Sequence, residues 1–185
     1  VERAPTLDDY AGDRRRPIAA EVTTFVQRRP GDGTPASQST RAYLSYDTHH
    51  FYVVFDCRED ADHLRAHLSR REDLVGDDSV SVSLDTFHDG QRAYMFFANP
   101  LGVQMDGVTT EGQDDDFEFD TIWTSEGRVT SNGFLVLFAI PFKSLRFHPT
   151  DDMEWGIALS RFRNAAAETD TWPHLSEKWS TYVPQ

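Results

Sequence analysis

The stretch SVSVSLDTFHDGQRAYMFFANPLGVQMDG, Ser79 to Gly107, decides the fold. Val80, Val82 and Leu84 alternate with Ser79, Ser81, Ser83 and Asp85. A period of two marks a strand with one apolar face. His88-Asp89-Gly90-Gln91 follows as a hairpin turn, with Gly90 able to take positive φ. RAYMFFA is the return strand, and Asn99-Pro100-Leu101-Gly102 is a second turn. VQMDGVT leaves that turn with Val103 and Met105 on one face.

Outward from this stretch the same pattern continues. AYLSY places Ala42, Leu44 and Tyr46 on one face, DTHH turns, and FYVVFDC is an almost continuous apolar strand. Cys57 alternates in phase with Phe51, Val53 and Phe55, so this lone cysteine is expected to be buried. HLRAHL is read as a strand, because Leu64, Ala66 and Leu68 alternate. GRVTS, a turn at Asn132-Gly133, and FLVLFAI follow. The last is apolar on both faces, as in a central strand, and Pro141 stops it. WGIALSRF is the final clear strand, and RNAAAETDTW reads as a helical or loop insertion. Residues 1–20 read as an extended arm. Residues 21–185 read as one all-β domain, an antiparallel jelly-roll-like β-sandwich of about ten strands. The chain is expected to be a fragment of a longer protein.

Composition sets limits. There are 31 acidic and 18 basic residues, for a net charge of −13. Such a chain is repelled by phosphate backbones, so no nucleic-acid partner is expected. One cysteine cannot build a disulfide framework. No run of about 18 apolar residues exists to span a membrane as a helix.

Several of these segments together resemble one bacterial family. They are FVQRRPGDGTPASQSTRAYLSYD, FYVVFDCRED, LDTFHDGQRAYMFFANPLGVQMDG, FEFDTIW, AIPFKSLRF and WGIALSRFRN. The set resembles the carbohydrate-binding family 9-like domain at the amino end of large exported proteins. In those proteins a carboxy-terminal outer-membrane-type β-barrel region follows. The likeness runs from about Phe25 to Trp172. It implies a non-catalytic carbohydrate-binding module with export to the periplasm, outer membrane or cell surface. Its partners would be a glycan or cell-surface polysaccharide, or its own barrel region. The alternative is a structural or assembly module that binds no sugar, and a third reading is a glycoside hydrolase. The chain departs from the family at Leu137, where a glutamate is usual, at Phe134, where a tryptophan is usual, and at Ser79, where an aromatic usually follows the aspartate pair.

Two constellations could carry chemistry. The first is EGQDDDFEFDTIW, Glu111 to Trp123. Asp114, Asp115, Asp116, Glu118 and Asp120 offer ligands for Ca2+, which takes six to eight oxygens in an irregular loop. The spacing is not that of an EF-hand. Alternation puts Phe117, Phe119 and Thr121 on one face of a strand and Glu118 and Asp120 on the other, so a solvated acidic loop entering a strand is the competing reading. The second constellation is a sugar surface. A sugar lays its C–H face on an aromatic ring while planar polar side chains read its hydroxyls. Trp172, Trp179, Trp123 and Tyr94 are the candidate platforms. Arg161, Arg163, Asn164, Asn99 and Gln104 are the candidate readers.

Other chemistries find less. No acid pair is marked out by apolar neighbours as a glycosidase pair. There is no G-x-S-x-G elbow. His63 and His67 have zinc spacing only on a helix. Met105 with His148 or His174 could clasp a heme, but a core methionine is the ordinary use, and no organic cofactor is expected.

Overall fold

Eleven strands build the protein in the computed structural model, which describes residues 1–12, 20–149, 153–178 and 183–184. In chain order they are β1 (Ala20–Val22), β2 (Val26–Arg29), β3 (Thr40–Tyr46), β4 (His50–Arg58), β5 (Ser79–Asp85) and β6 (Arg92–Ala98). Then come β7 (Gln104–Thr110), β8 (Thr124–Thr130), β9 (Gly133–Pro141), β10 (Gly156–Arg163) and β11 (Glu168–Trp172). They form a five-stranded sheet, β1-β3-β4-β9-β8, and a six-stranded sheet, β2-β11-β10-β5-β6-β7. Every pairing is antiparallel.

The inner faces meet in one core. Val80, Val82 and Leu84 of β5 face Val53, Phe55 and Cys57 of β4 and Phe134, Val136 and Phe138 of β9. Burying side chains of this size stabilises the fold by about 1.5–3 kcal/mol each. Burial pushes the Cys57 thiol up to about 12, so it is an inert core group. The family-departure residue Phe134 is part of this core.

Both outer faces are also covered. Leu7 and Tyr10, on and beside a short 3-10 turn (Leu7–Asp9), pack on Tyr43, Tyr52, Val54, Leu135 and Leu137. That is why β9 is apolar on both faces, and it places Leu137 in an apolar contact. The amino-terminal arm therefore joins the packing at Leu7 and Tyr10, and Ala20–Val22 pairs with β3, while positions 13–19 of that arm lie outside the described residues. On the other sheet the rings of Phe97 and Phe162 meet 5.9 Å apart across β5. Beneath them Ser79 and Ser81, the polar alternates of the β5 pattern, are buried. The tail lies over the same sheet: Leu175 N–H donates to Thr171 Oγ1 at 3.1 Å, and Arg28 donates to the Leu175 and Ser176 carbonyls.

Three segments differ from the sequence reading. HLRAHL joins no sheet, and it opens on a turn in which the His63 and Leu64 N–H groups donate to the Asp60 carbonyl. Arg65 N–H donates to Asp78 Oδ2 and His67 N–H to Asp77 Oδ2, both at 3.1 Å, so aspartate side chains take the place of a neighbouring strand. FEFDTIW is not a strand either. Asp116 makes an isolated bridge to Val108, after which the chain leaves the sheet. Asp106 draws it inward, accepting from Thr121 N–H at 2.8 Å and Trp123 Nε1–H at 3.2 Å. Conversely, the insertion read in RNAAAETDTW is a 3-10 turn (Asn164–Ala166) followed by β11.

Candidate functional site

Where β4, β5, β9 and β10 end together, a half-enclosed recess of about 280 Å³ is lined by Ser37, Glu59, His63, Asp78, Arg163, Ala165 and Ala166. Three of the polar walls come from strand ends. Glu59 follows β4, Asp78 precedes β5, and Arg163 closes β10. Ser37 arrives on the loop before β3, and the two alanines sit on the 3-10 turn after β10.

The wall is locked from behind. Arg163 Nε donates to Glu59 Oε2 at 2.6 Å, and its Nη2 donates to Glu59 Oε1 at 3.0 Å. Its Nη1 reaches Ser37 Oγ at 2.5 Å and Glu168 Oε1 at 3.3 Å. Ser37 donates its N–H and its hydroxyl to the same Glu168 oxygen, at 3.0 and 2.8 Å. Arg161 lies deeper, fully buried over the Phe134 ring. It donates to Thr40 Oγ1, to the carbonyls of Ser39 and Arg58, and to Glu59 Oε2. Asp78 accepts from Asn164 N–H at 2.7 Å and from Arg65 N–H.

These surroundings set the charges. Burial opposes ionisation of Glu59, yet the Arg163 hydrogen bonds and the nearby guanidinium charges hold its carboxyl below the ordinary range. Glu168 is likewise held low against burial, by Ser37 and Arg163. Burial wins at Asp78, whose carboxyl is pushed up despite the two backbone donors. The recess is therefore a preorganised set of planar acid and guanidinium groups over two small apolar side chains.

The structure scatters the expected sugar residues. Arg163 lines the recess and Asn164 supplies a backbone donor beside it, while Arg161 braces it from inside. Asn99 is buried next door, donating to Asp77 Oδ2 at 2.7 Å and to the His67 carbonyl. The remaining candidates lie elsewhere. Trp123 is only 3% exposed and stacked on Phe138, so neither ring face is open to a sugar. Tyr94 is buried against Phe119, and its hydroxyl accepts from Arg146 N–H. Gln104 donates to the Trp123 carbonyl. Trp172 is half-buried on the main core. Trp179 lies outside the described residues. Ser37, Glu59, Asp78 and Glu168 were missed. The three acids carry one weak signal, a carboxylate at the edge of a strand pattern, as Glu59 is in FDCRED.

The expected calcium ligands also part company. Asp114, Asp115, Asp116 and Glu118 are exposed, and Asp116 Oδ1 accepts from Glu118 N–H. Asp120 alone of the five joins a carboxylate group, with Glu72 and Asp106, whose oxygens lie within 4.8 Å of one another. A guanidinium already occupies that group. Arg71 donates to Glu72 at 3.0 Å, to Asp120 at 2.9 Å and to Asp106. Calcium needs six to eight oxygens. Three carboxylates already bonded to an arginine do not fit a resident ion.

No protein-family profile matches the sequence, and no curated protein does. Solved structures do match. A candidate carbohydrate-binding protein from Bacteroides uniformis ATCC 8492 gives a TM-score of 0.68 at 11% identity, over 89% of this chain and 81% of that one. A carbohydrate-binding module of family 9 from Caldicellulosiruptor kristjanssonii, in complex with glucose, gives 0.50 at 15%, over 78% and 71%. Its cellotriose complex gives 0.50 at 15%, over 83% and 74%. The fold is family 9-like. At these identities the likeness concerns the family 9-like sandwich itself, since fold and ligand are separate properties.

Proposed function

We propose that this protein is a non-catalytic glycan-binding module, with its sugar site at the recess of Ser37, Glu59, His63, Asp78 and Arg163. The observation that carries this reading is the lock between Glu59 and Arg163. It fixes planar polar groups in advance, and a preorganised site loses less entropy on binding. A recess of about 280 Å³, just under the usual range of small-ligand pockets, leaves room for about one sugar ring. Ala165 and Ala166 offer a small apolar floor for a C–H face. Neighbours of this fold that bind glucose and cellotriose support the ligand class. We expect such a module to act outside the cytoplasm, where polysaccharide is available.

Hydrolysis fits this recess poorly. Both Glu59 oxygens are taken by guanidinium donors and both Asp78 oxygens by backbone N–H groups. A general acid must hand over a proton freely, and a nucleophile or base must be free to swing onto carbon or water. These acids hold structure instead.

Calorimetric titration of glucose and cellotriose into wild type and Ala166→Trp tests the reading. Ala166 is exposed on the turn, so the indole fills the recess without disturbing the core. We expect wild-type binding that the variant abolishes. Equal binding by both proteins would move the site elsewhere.

A further inference from the structure

Behind the recess, Asp170 stands in the middle of β11. Its side chain is fully buried, and neither oxygen receives a hydrogen bond. Its cross-strand partner is Arg161 of β10. Arg161 spends both terminal nitrogens on Thr40, Ser39, Arg58 and Glu59, and its Nε–H is also without a partner. The other groups facing this spot are Arg163 of β10, Glu168 on the same strand and Cys57 of β4. Beyond them Glu59 and Asp78 share Arg161. The other pairing partner of Asp170, on β2, is the uncharged Gln27.

A carboxylate with no donor is among the costliest groups to bury. A carboxylic acid brings its own donor. Glu168 is two residues away on the same face of the strand and lies within hydrogen-bonding reach. All three donors to Glu168 fall on Oε1, so its Oε2 is open to accept.

We propose that Asp170 is a neutral acid whose proton braces Glu168 and, through it, the Ser37–Arg163 wall of the recess. Asp170 is a positioning residue, because it reaches the recess only through Glu168 and the two arginines. Loss of its proton sets two carboxylates side by side. Arg163 and Arg161 are then drawn toward the new charge, and Glu168 loosens its hold on Ser37. The recess thus changes shape with a single ionisation. Burial and the Glu168 charge raise the Asp170 carboxyl from 3.8 to about 7, which puts that ionisation near neutral pH.

A carboxyl-carbon NMR titration of the full chain, without ligand, tests this. We expect the Asp170 signal to titrate near 7, and the Ser37 amide and Arg163 Nε–H signals to shift with the same midpoint. In Asp170→Asn, which mimics the neutral acid, those two shifts disappear. An Asp170 midpoint in the ordinary carboxylate range overturns the proposal. So do Ser37 and Arg163 signals that stay still while Asp170 titrates, or that shift unchanged in the variant. If the variant does not fold, the wild-type signals decide alone. No sugar is present, so the outcome is independent of whether the recess binds glycan.

Discussion

Glu59 and Arg163 are joined by two parallel hydrogen bonds, 2.6 and 3.0 Å long, with both side chains buried. Breaking such a pair from one side strands a charge in the interior, at a cost of about 3–5 kcal/mol. Arg163→Met is therefore expected to lower unfolding free energy by that amount in urea titrations. A loss within experimental error of zero would show that the pair contributes nothing.

The buried Asp170 predicts an unusual pH dependence. Its folded value, about 7, lies above the ordinary 3.8. The unfolded chain gives up this proton near 3.8 while the folded chain keeps it, so the contribution is full below 3.8. It is lost as pH rises through about 7, and totals roughly 4 kcal/mol. Asp47 has the opposite sign. The Tyr52 hydroxyl and the His49 and His50 amides hold it down to about 2, so its contribution is lost as pH falls from the ordinary carboxylate range through about 2. The stability of Asp170→Asn relative to wild type is expected to rise between pH 4 and 7 and then level off. A difference flat in pH would refute the assignment.

Gly127 and Gly102 let β8 and the turn after β6 touch backbone to backbone. A Cβ on Gly127 would lie 2.4 Å from the Gly102 nitrogen and 2.5 Å from the Pro100 carbonyl oxygen. Neither is a flexible side-chain end that can swing away. Gly127→Ala is expected to destabilise by about 2 kcal/mol or more, as overpacking does. An unchanged melting temperature would contradict this contact.

Arg71 takes the place of a cation among Glu72, Asp106 and Asp120. Wild-type melting is expected to ignore both calcium and chelator. Arg71→Ala leaves the carboxylates unneutralised, so calcium is expected to raise that variant's melting temperature through its affinity for the folded state. Calcium stabilisation of the wild type would show that the guanidinium yields to the ion.

How far the chain could be read depends on which groups are buried. Val80, Val82 and Leu84 made β5 plain, because an apolar face obeys strand alternation. β11 stayed hidden because its inward residues include Glu168 and Asp170, and buried charges look like surface in a sequence. HLRAHL alternates like a strand, yet the Arg65 and His67 N–H groups bond to Asp78 and Asp77 rather than to a neighbouring strand. The conspicuous run Asp114–Asp116 is exposed loop. The recess is built instead from acids at strand ends far apart in the chain, which only the sheet order brings together. Trp123 shows the converse. Its polar neighbours suggested a platform, while its indole N–H had a buried acceptor in Asp106.

Amide shift mapping with glucose and cellotriose tests the central claim most directly. The account predicts saturable shifts at millimolar sugar, centred on Ser37, Glu59, Asp78 and Asn164 and absent in Ala166→Trp. A spectrum that neither sugar changes, or shifts centred away from this recess, would contradict it.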